Sequence, residues 1–207
     1  MIKILTEQKL DALRADIRSR MSEKRYNHTL GVEREISRLA QLYCPKNILE
    51  MRASALLHDI TKEYSSEEHL SIIADNGLDI GYYSQQSNKT YHSLTASLII
   101  PCIYSEFVSD DVLHAVKVHT TGCADMNLYD KLLYFADYIE DTRTFEDCVA
   151  LRNFFWSGID SGAEKNIHLD RTILLSLDMT IKDLIEGGKV ICKDTVEARN
   201  SLLLLLK

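Results

Sequence analysis

The stretch "ASALLHDITKEY", residues 53–64, runs through five small or apolar side chains and then sets His58 and Asp59 side by side. A helix that begins this way is apolar around most of its circumference and belongs in a core, yet two titratable groups sit where hydrocarbon is expected. The chain around the stretch reads as helical throughout. Only 8 Gly and 2 Pro interrupt 207 residues, and apolar residues recur at spacings of three and four rather than alternating. The reading is therefore all-α, a bundle of about eight or more helices forming one domain over residues 1–207.

Capping chemistry places the helices. One runs from about Thr6 to Met21 and the next from Ser22 to Tyr43, stopping before Cys44-Pro45; a third runs from about Asn47 to His58. Ser65 and Glu68 form a capping box for a short helix that stops at Gly77. Residues 77–90, polar and turn-rich, read as a lid leading to a helix that starts near His92. Ser109 and Asn127 cap two more helices, and the segment from Phe145 to Gly187-Gly188 reads as one long helix before a last one through "VEARNSLLLLLK".

On these helices polar residues occupy apolar stripes. His28 leads Val32, Ile36, Leu39 and Tyr43, His58 extends Met51 and Ala55, His92 leads Ala96, Ile99 and Ile103, His119 extends Val112 and Val116, and Asp137 follows Leu133. Any one of these alone is better read as a hydrogen-bonded core residue. Burying all of them and Asp59 separately would cost about 1–3 kcal/mol for each group left unsatisfied, whereas one shared divalent cation satisfies several together. His69, between Glu68 and Leu70, reads as solvated, His168 as preceding a helix, and His114 as lying about 140° round the helix from His119.

Composition excludes other classes. A net charge of −7 without a basic cluster argues against nucleic acid or an anionic membrane as partner, and the charged N-terminal stretch is neither a signal peptide nor a membrane span, which suggests a cytoplasmic protein. Cys44, Cys102, Cys123, Cys148 and Cys192 are scattered and form no C-x-x-C pair, against a disulfide framework or zinc knuckle. Lys62, four residues after His58, and Arg143, six after Asp137, each read on their own as a surface cation. The polar "TVEARN" reads on its own as an N-cap at Thr195.

The ordered set His28, His58-Asp59, His92, His119 and Asp137 resembles the HD superfamily of metal-dependent phosphohydrolases. The segments "RYNHTLGV", "LLHDITKE", "VKVHTTG", "FADYIEDTR" and "TVEARN" are similar to the YqeK-type, symmetrical bis(5′-nucleosyl)-tetraphosphatases. The resemblance implies hydrolysis of diadenosine tetraphosphate at its central anhydride to two ADP, with bound iron. It implies metal ligation by His28, His58, Asp59 and Asp137, and catalysis by Asp59 as proton acceptor with Lys62, His92 and His119. Substrate contacts would come from Arg25, Lys62, His92, His119, Thr120 and Arg143, with Thr195, Arg199 and Asn200 at the nucleotide end. His92 and His119 either bind and protonate phosphate or hold a second metal. Two positions depart from the family pattern: Ser93 stands where glycine is common and Asp141 where proline is. Two nitrogens and two oxygens suit iron, manganese or a similar ion. The nucleoside diphosphate product could be ADP or GDP, and a homodimer is left open. Two rivals stay open: another HD nucleotidase or phosphodiesterase, and a non-catalytic nucleotide sensor.

Overall fold

The computed structural model describes residues 5–79 and 88–207. Among the described residues every regular element is helical, so the all-α expectation holds. The first helix, α1 (Glu7–Arg18), is capped by Thr6, whose hydroxyl accepts from the Lys9 amide, and it buries Leu10, Leu13 and Ile17 on one face. It ends at Ser19, short of the expected Met21, because the chain turns there to reach Ser22, the cap of α2 (Glu23–Tyr43). Helix α3 (Ile48–Leu57) is the centre of the fold. Met51, Ala53, Ser54, Ala55, Leu56 and Leu57 are all buried, as the run of small and apolar residues requires, and the polar Glu50 and Arg52 of the helix's first half are half-buried.

Around α3 the chain lays down α4 (Ser66–Asp75), α5 (Tyr91–Ile103), α6 (Asp110–Val118) and α7 (Leu128–Ile139). Helix α3 packs against α1, α2, α6 and α7. The capping box at Ser65 and Glu68 forms as expected, and Ser109 and Asn127 cap α6 and α7. The chain closes with α8 (Glu146–Asp160), α9 (Lys165–Glu186) and α10 (Lys193–Leu205), of which α9 packs on α7, α8 and α10.

Several expectations are corrected. The single helix from Phe145 to Gly187 is two, broken where Gly162 adopts φ +84° and Glu164 caps the next helix by accepting from the Asn166 and Ile167 amides. His168 lies inside α9, buried, with Nε2 at 3.0 Å from the Phe155 carbonyl. Gly158 makes room for it, since a Cβ there would come within 2.3 Å of that nitrogen. His69 is buried rather than solvated, its Nδ1 at 2.8 Å from Thr95 Oγ1. Thr195 is not a cap: α10 starts after Cys192, and Thr195 is buried within the helix. Of the expected lid, residues 80–87 lie outside the described residues.

Candidate active site

Three helices, α2, α5 and α7, and the ends of two more, α3 and α6, bring the site together. His28 faces inward from α2, one stripe position before the buried Val32. His58 is the C-cap of α3 and His119 the C-cap of α6, and the two rings are held alike. His58 Nδ1 lies 2.6 Å from the Ala55 carbonyl and His119 Nδ1 2.7 Å from the Val116 carbonyl. A carbonyl can only accept, so each Nδ1 carries the proton and each Nε2 presents its lone pair to the cluster. Each bond also satisfies one of the carbonyls that a helix end leaves open.

His28 is oriented by Glu140, a fully buried acid at the end of α7 whose Oε1 sits 3.0 Å from His28 Nδ1. Thr142 fixes that carboxylate through its amide and hydroxyl, both at 2.7 Å. Gly31, on the next turn of α2, leaves the space Glu140 fills: a Cβ there would lie 2.1 Å from Glu140 Oε2. Sequence reasoning missed Glu140, which reads as one acid among several in "IEDTRTFED". The signal was its pairing with Gly31, visible only across helices.

The two carboxylates are tied from outside. Arg25 donates to Asp59 Oδ2 at 2.5 Å, and Arg143 donates to the Asp137 carboxylate at 2.8 Å and to its carbonyl at 2.6 Å. Arg143 is thus engaged in holding Asp137, which the expectation of a free phosphate-binding cation did not include. Inside, His28 Nε2 is 2.9 Å from Asp137 Oδ1 and 3.7 Å from Asp59 Oδ2, and His58 Nε2 is 3.4 Å from Asp59 Oδ2 and 3.8 Å from Asp137 Oδ1. Despite these approaches, His28 Nε2, His58 Nε2 and Asp59 Oδ1 are buried without a hydrogen-bond partner. Arg25 Nε is unpartnered as well, and Asp59 Oδ1 faces His92 and His119 rather than His28; buried polar atoms left unsatisfied across one cluster are the signature of an absent partner. His28, His58 and Asp137 form one group whose ligand atoms lie within 4.8 Å of one another, and His58, Asp59 and His119 a second. With nitrogen and carboxylate donors and no thiolate, the residues fit a divalent transition metal.

His92 stands beside the cluster at the start of α5. Its Nε2 is 3.2 Å from His119 Nε2, 3.2 Å from Asp59 Oδ1, 2.9 Å from Lys62 Nζ and 3.0 Å from Thr120 Oγ1. The helix carrying it is anchored by Thr61, whose hydroxyl donates to the His92 carbonyl at 2.8 Å and lies 3.0 Å from Thr95. Thr95 in turn meets His69, which gives that buried histidine its structural task. Burial alone would raise the Asp59 carboxyl, but His58, His119 and His92 hold it well below the ordinary carboxylate range. Burial likewise opposes a charge on His28, yet the Asp137 and Glu140 carboxylates outweigh it and raise its pKa to about 9. Burial lowers His92 and His119, which favours their neutral forms. Lys62 is also pulled down by burial, against the attraction of Asp59.

Two cavities adjoin the cluster. One of about 410 Å³ is lined by Lys62, Tyr64, Lys89 and His92, and one of about 390 Å³ by Arg25, His28, Arg143 and Phe145. A larger cavity of about 900 Å³, beside Arg14, Arg38 and Trp156, does not touch the histidines. The "TVEARN" residues sit on α10. Arg199 donates to Asp178 at 2.8 Å and also reaches Asn200 at 3.3 Å. Ala198 packs against Gly122, where a Cβ would come within 2.9 Å of it, so α10 rests on the loop that follows His119 and Thr120. Of the departures from the family pattern, Ser93 donates to the Thr90 carbonyl at 2.9 Å and Asp141 pairs with Arg34 at 2.6 Å.

The HD domain family profile matches residues 25–142, from the Arg25 that holds Asp59 to the Thr142 that holds Glu140. The chain belongs to the HD domain family. Three curated relatives, from Halalkalibacterium halodurans, Staphylococcus aureus and Bacillus subtilis, are each named bis(5′-nucleosyl)-tetraphosphatase, symmetrical. They are 29%, 28% and 25% identical, over 91%, 88% and 91% of this chain and 94%, 89% and 95% of theirs. A crystal structure from Clostridium acetobutylicum, described as a predicted HD superfamily hydrolase involved in NAD metabolism, is 31% identical with a TM-score of 0.82, over 95% of this chain and 97% of that one. In this HD-domain protein the family match takes in His28, His58, Asp59, His92, His119 and Asp137, while Arg143 and α8 to α10 follow it.

Proposed function

We propose that the protein is a metal-dependent hydrolase that cleaves diadenosine tetraphosphate symmetrically to two ADP. The observation that carries the reading is the grouping of His28, His58 and Asp137, whose donor atoms lie within 4.8 Å of one another with His28 Nε2 and His58 Nε2 buried and unpartnered, in a chain whose curated relatives bear that activity in their names. His28, His58, Asp59 and Asp137 would hold the cation, and iron, or manganese in its place, suits their nitrogen and oxygen donors. When bound, a divalent cation supplies Lewis-acid polarisation of a phosphoryl oxygen and lowers the pKa of an attacking water.

The chain's own residues do the rest. Asp59 Oδ1 faces the cluster while Arg25 occupies Oδ2, which places Asp59 to accept a proton from water. Lys62 Nζ, 3.9 Å from Asp59 Oδ1, offsets phosphate charge. His92 and His119, with Nε2 atoms 3.2 Å apart, share protons with the departing phosphate, or His119 joins His58 and Asp59 around a second cation. Thr120 steadies His92 through its hydroxyl. Arg143 keeps Asp137 in place and borders the cavity beside His28. Thr195, Arg199 and Asn200 meet the nucleotide, from a helix that rests on the loop carrying Thr120. We read the whole chain as one domain acting in the cytoplasm, consistent with the absence, among the described residues, of a helix long and apolar enough to cross a membrane.

One observation favours a second reading with the same chemistry: the Clostridium acetobutylicum protein is described as involved in NAD metabolism, and NAD is itself a dinucleotide joined by a phosphoric anhydride. Incubation of the purified protein with Fe²⁺ or Mn²⁺ and either compound, with products separated by chromatography, decides between them. Two ADP from the tetraphosphate is the expected result. AMP with ATP, or cleavage of NAD in preference, overturns the first reading.

A further inference from the structure

A separate set of ligand-type side chains meets on the far side of α6. His114, Cys123 and Asp130 come from α6, from the loop that follows it and from the first turn of α7, and their donor atoms lie within 4.8 Å of one another. None belongs to the active-site cluster, and His114 and His119 lie on different faces of the helix. Asp130 is fully buried. Its Oδ2 accepts the Asn127 amide at 2.9 Å in the capping box, which leaves Oδ1 facing His114 Nδ1 at 2.8 Å. Burial pushes the Cys123 thiol up to about 11, and the carboxylates of Asp130, Asp194 and Asp125 push the same way against Lys117. A thiol among carboxylates gains no partner from them, whereas a cation would answer the carboxylates and the sulfur together. The loop is also held in a costly form, with Asp125 at φ +55° and its amide bonded to Ser201 at 3.2 Å.

We propose that His114, Cys123 and Asp130 form a second, peripheral site for a thiophilic divalent cation of the zinc or cobalt class, with water completing a four-coordinate shell. One nitrogen, one sulfur and one oxygen suit such an ion and do not suit magnesium or calcium. The ion would clamp α6 to the start of α7 and fix between them the loop that carries Thr120, which contacts His92, and Gly122, which supports α10. The inference does not depend on the hydrolase reading.

Cobalt(II) titration of the full chain, loaded beforehand with Mn²⁺, separates this site from the active site, because only sulfur ligation gives a near-ultraviolet thiolate-to-cobalt charge-transfer band. The expected result is a band that saturates near one equivalent, survives His58→Ala, is abolished by Cys123→Ser, and needs about tenfold or more cobalt in His114→Ala, the scale on which even outer-shell changes alter metal affinity. Absence of the band in the wild-type protein at saturating cobalt refutes the site without reference to any variant. Persistence of the band in Cys123→Ser refutes it as well, by assigning the sulfur to another cysteine.

Discussion

Replacing Gly31 by alanine should weaken metal binding while leaving the fold standing. The added Cβ would lie 2.1 Å from Glu140 Oε2, 3.0 Å from its Cδ and 3.3 Å from Asp141 Oδ1, so the carboxylate must retreat by roughly 1.3 Å or more to reach ordinary contact. A glutamate tip on the surface would swing aside at little cost. Glu140 cannot, since it is fully buried and holds the Thr142 amide, the Thr142 hydroxyl and His28 Nδ1. Oε2, the oxygen struck, accepts the Thr142 amide, and turning the carboxylate away also carries Oε1 from His28 Nδ1. Loss of a charged hydrogen bond costs about 1.5–3 kcal/mol, and Ala over Gly in a helix returns about 1 kcal/mol, so the net loss of stability is about 0.5–2 kcal/mol. Metal affinity should fall further in proportion, by about 10–100-fold, as for other losses of a ligand's supporting partner. The assay is a double-mutant cycle on metal affinity and thermal unfolding. In a Glu140→Ala background the extra methyl meets only the exposed tip of Asp141, so Gly31→Ala should then cost little more. Affinity within about threefold of wild type in the single variant, or full additivity in the double, would refute the reasoning.

The other predictions address the cluster directly. His58→Ala and Asp59→Ala should each abolish turnover and most bound metal, and full metal content by elemental analysis with full activity would count against the assigned ligands. Lys62→Ala should keep the metal and lower kcat/KM by about 10²–10³-fold. Arg143→Ala should lose metal as well as activity, because Arg143 anchors Asp137; normal metal occupancy in that variant would return Arg143 to substrate binding alone. Without metal, His28 keeps its proton up to about 9 when folded and only to 6.5 when unfolded. This stabilisation is complete below 6.5 and disappears as pH rises through about 9. The metal-free protein should therefore melt lower as pH climbs through that window. Metal affinity should instead rise with pH, by about tenfold per unit from His28 alone. A flat affinity profile between pH 6.5 and 9 would show that His28 sheds no proton on binding.

Helix starts were readable because capping is local: Ser22, Ser65, Ser109 and Asn127 act within three residues of themselves. The inward histidines were readable for a related reason, since helical phase fixes the side of a residue before any partner is known. The misreadings share a different cause. His69 lies between an acid and a leucine, and only the arrival of Thr95 from α5 shows that it is buried. Glu140 gains meaning from Gly31 on another helix, and His168 from the gap left by Gly158. In each case the deciding neighbour is remote in sequence. The break at Gly162 is the exception: a local signal was present, but the apolar spacing on either side of it concealed a left-handed turn.

The way His58 and His119 end their helices has a mechanical consequence. Each ring is both the last fastening of a helix and a prospective grip on an ion, through opposite nitrogens of one imidazole. A ring cannot swing away from the ion without letting go of the carbonyl behind it, so release of the ion and fraying of the helix tip are a single motion. Since α3 and α6 pack on each other at the centre of the fold, removing the ion should be felt first as faster amide exchange at those two tips, well before the surrounding bundle loosens.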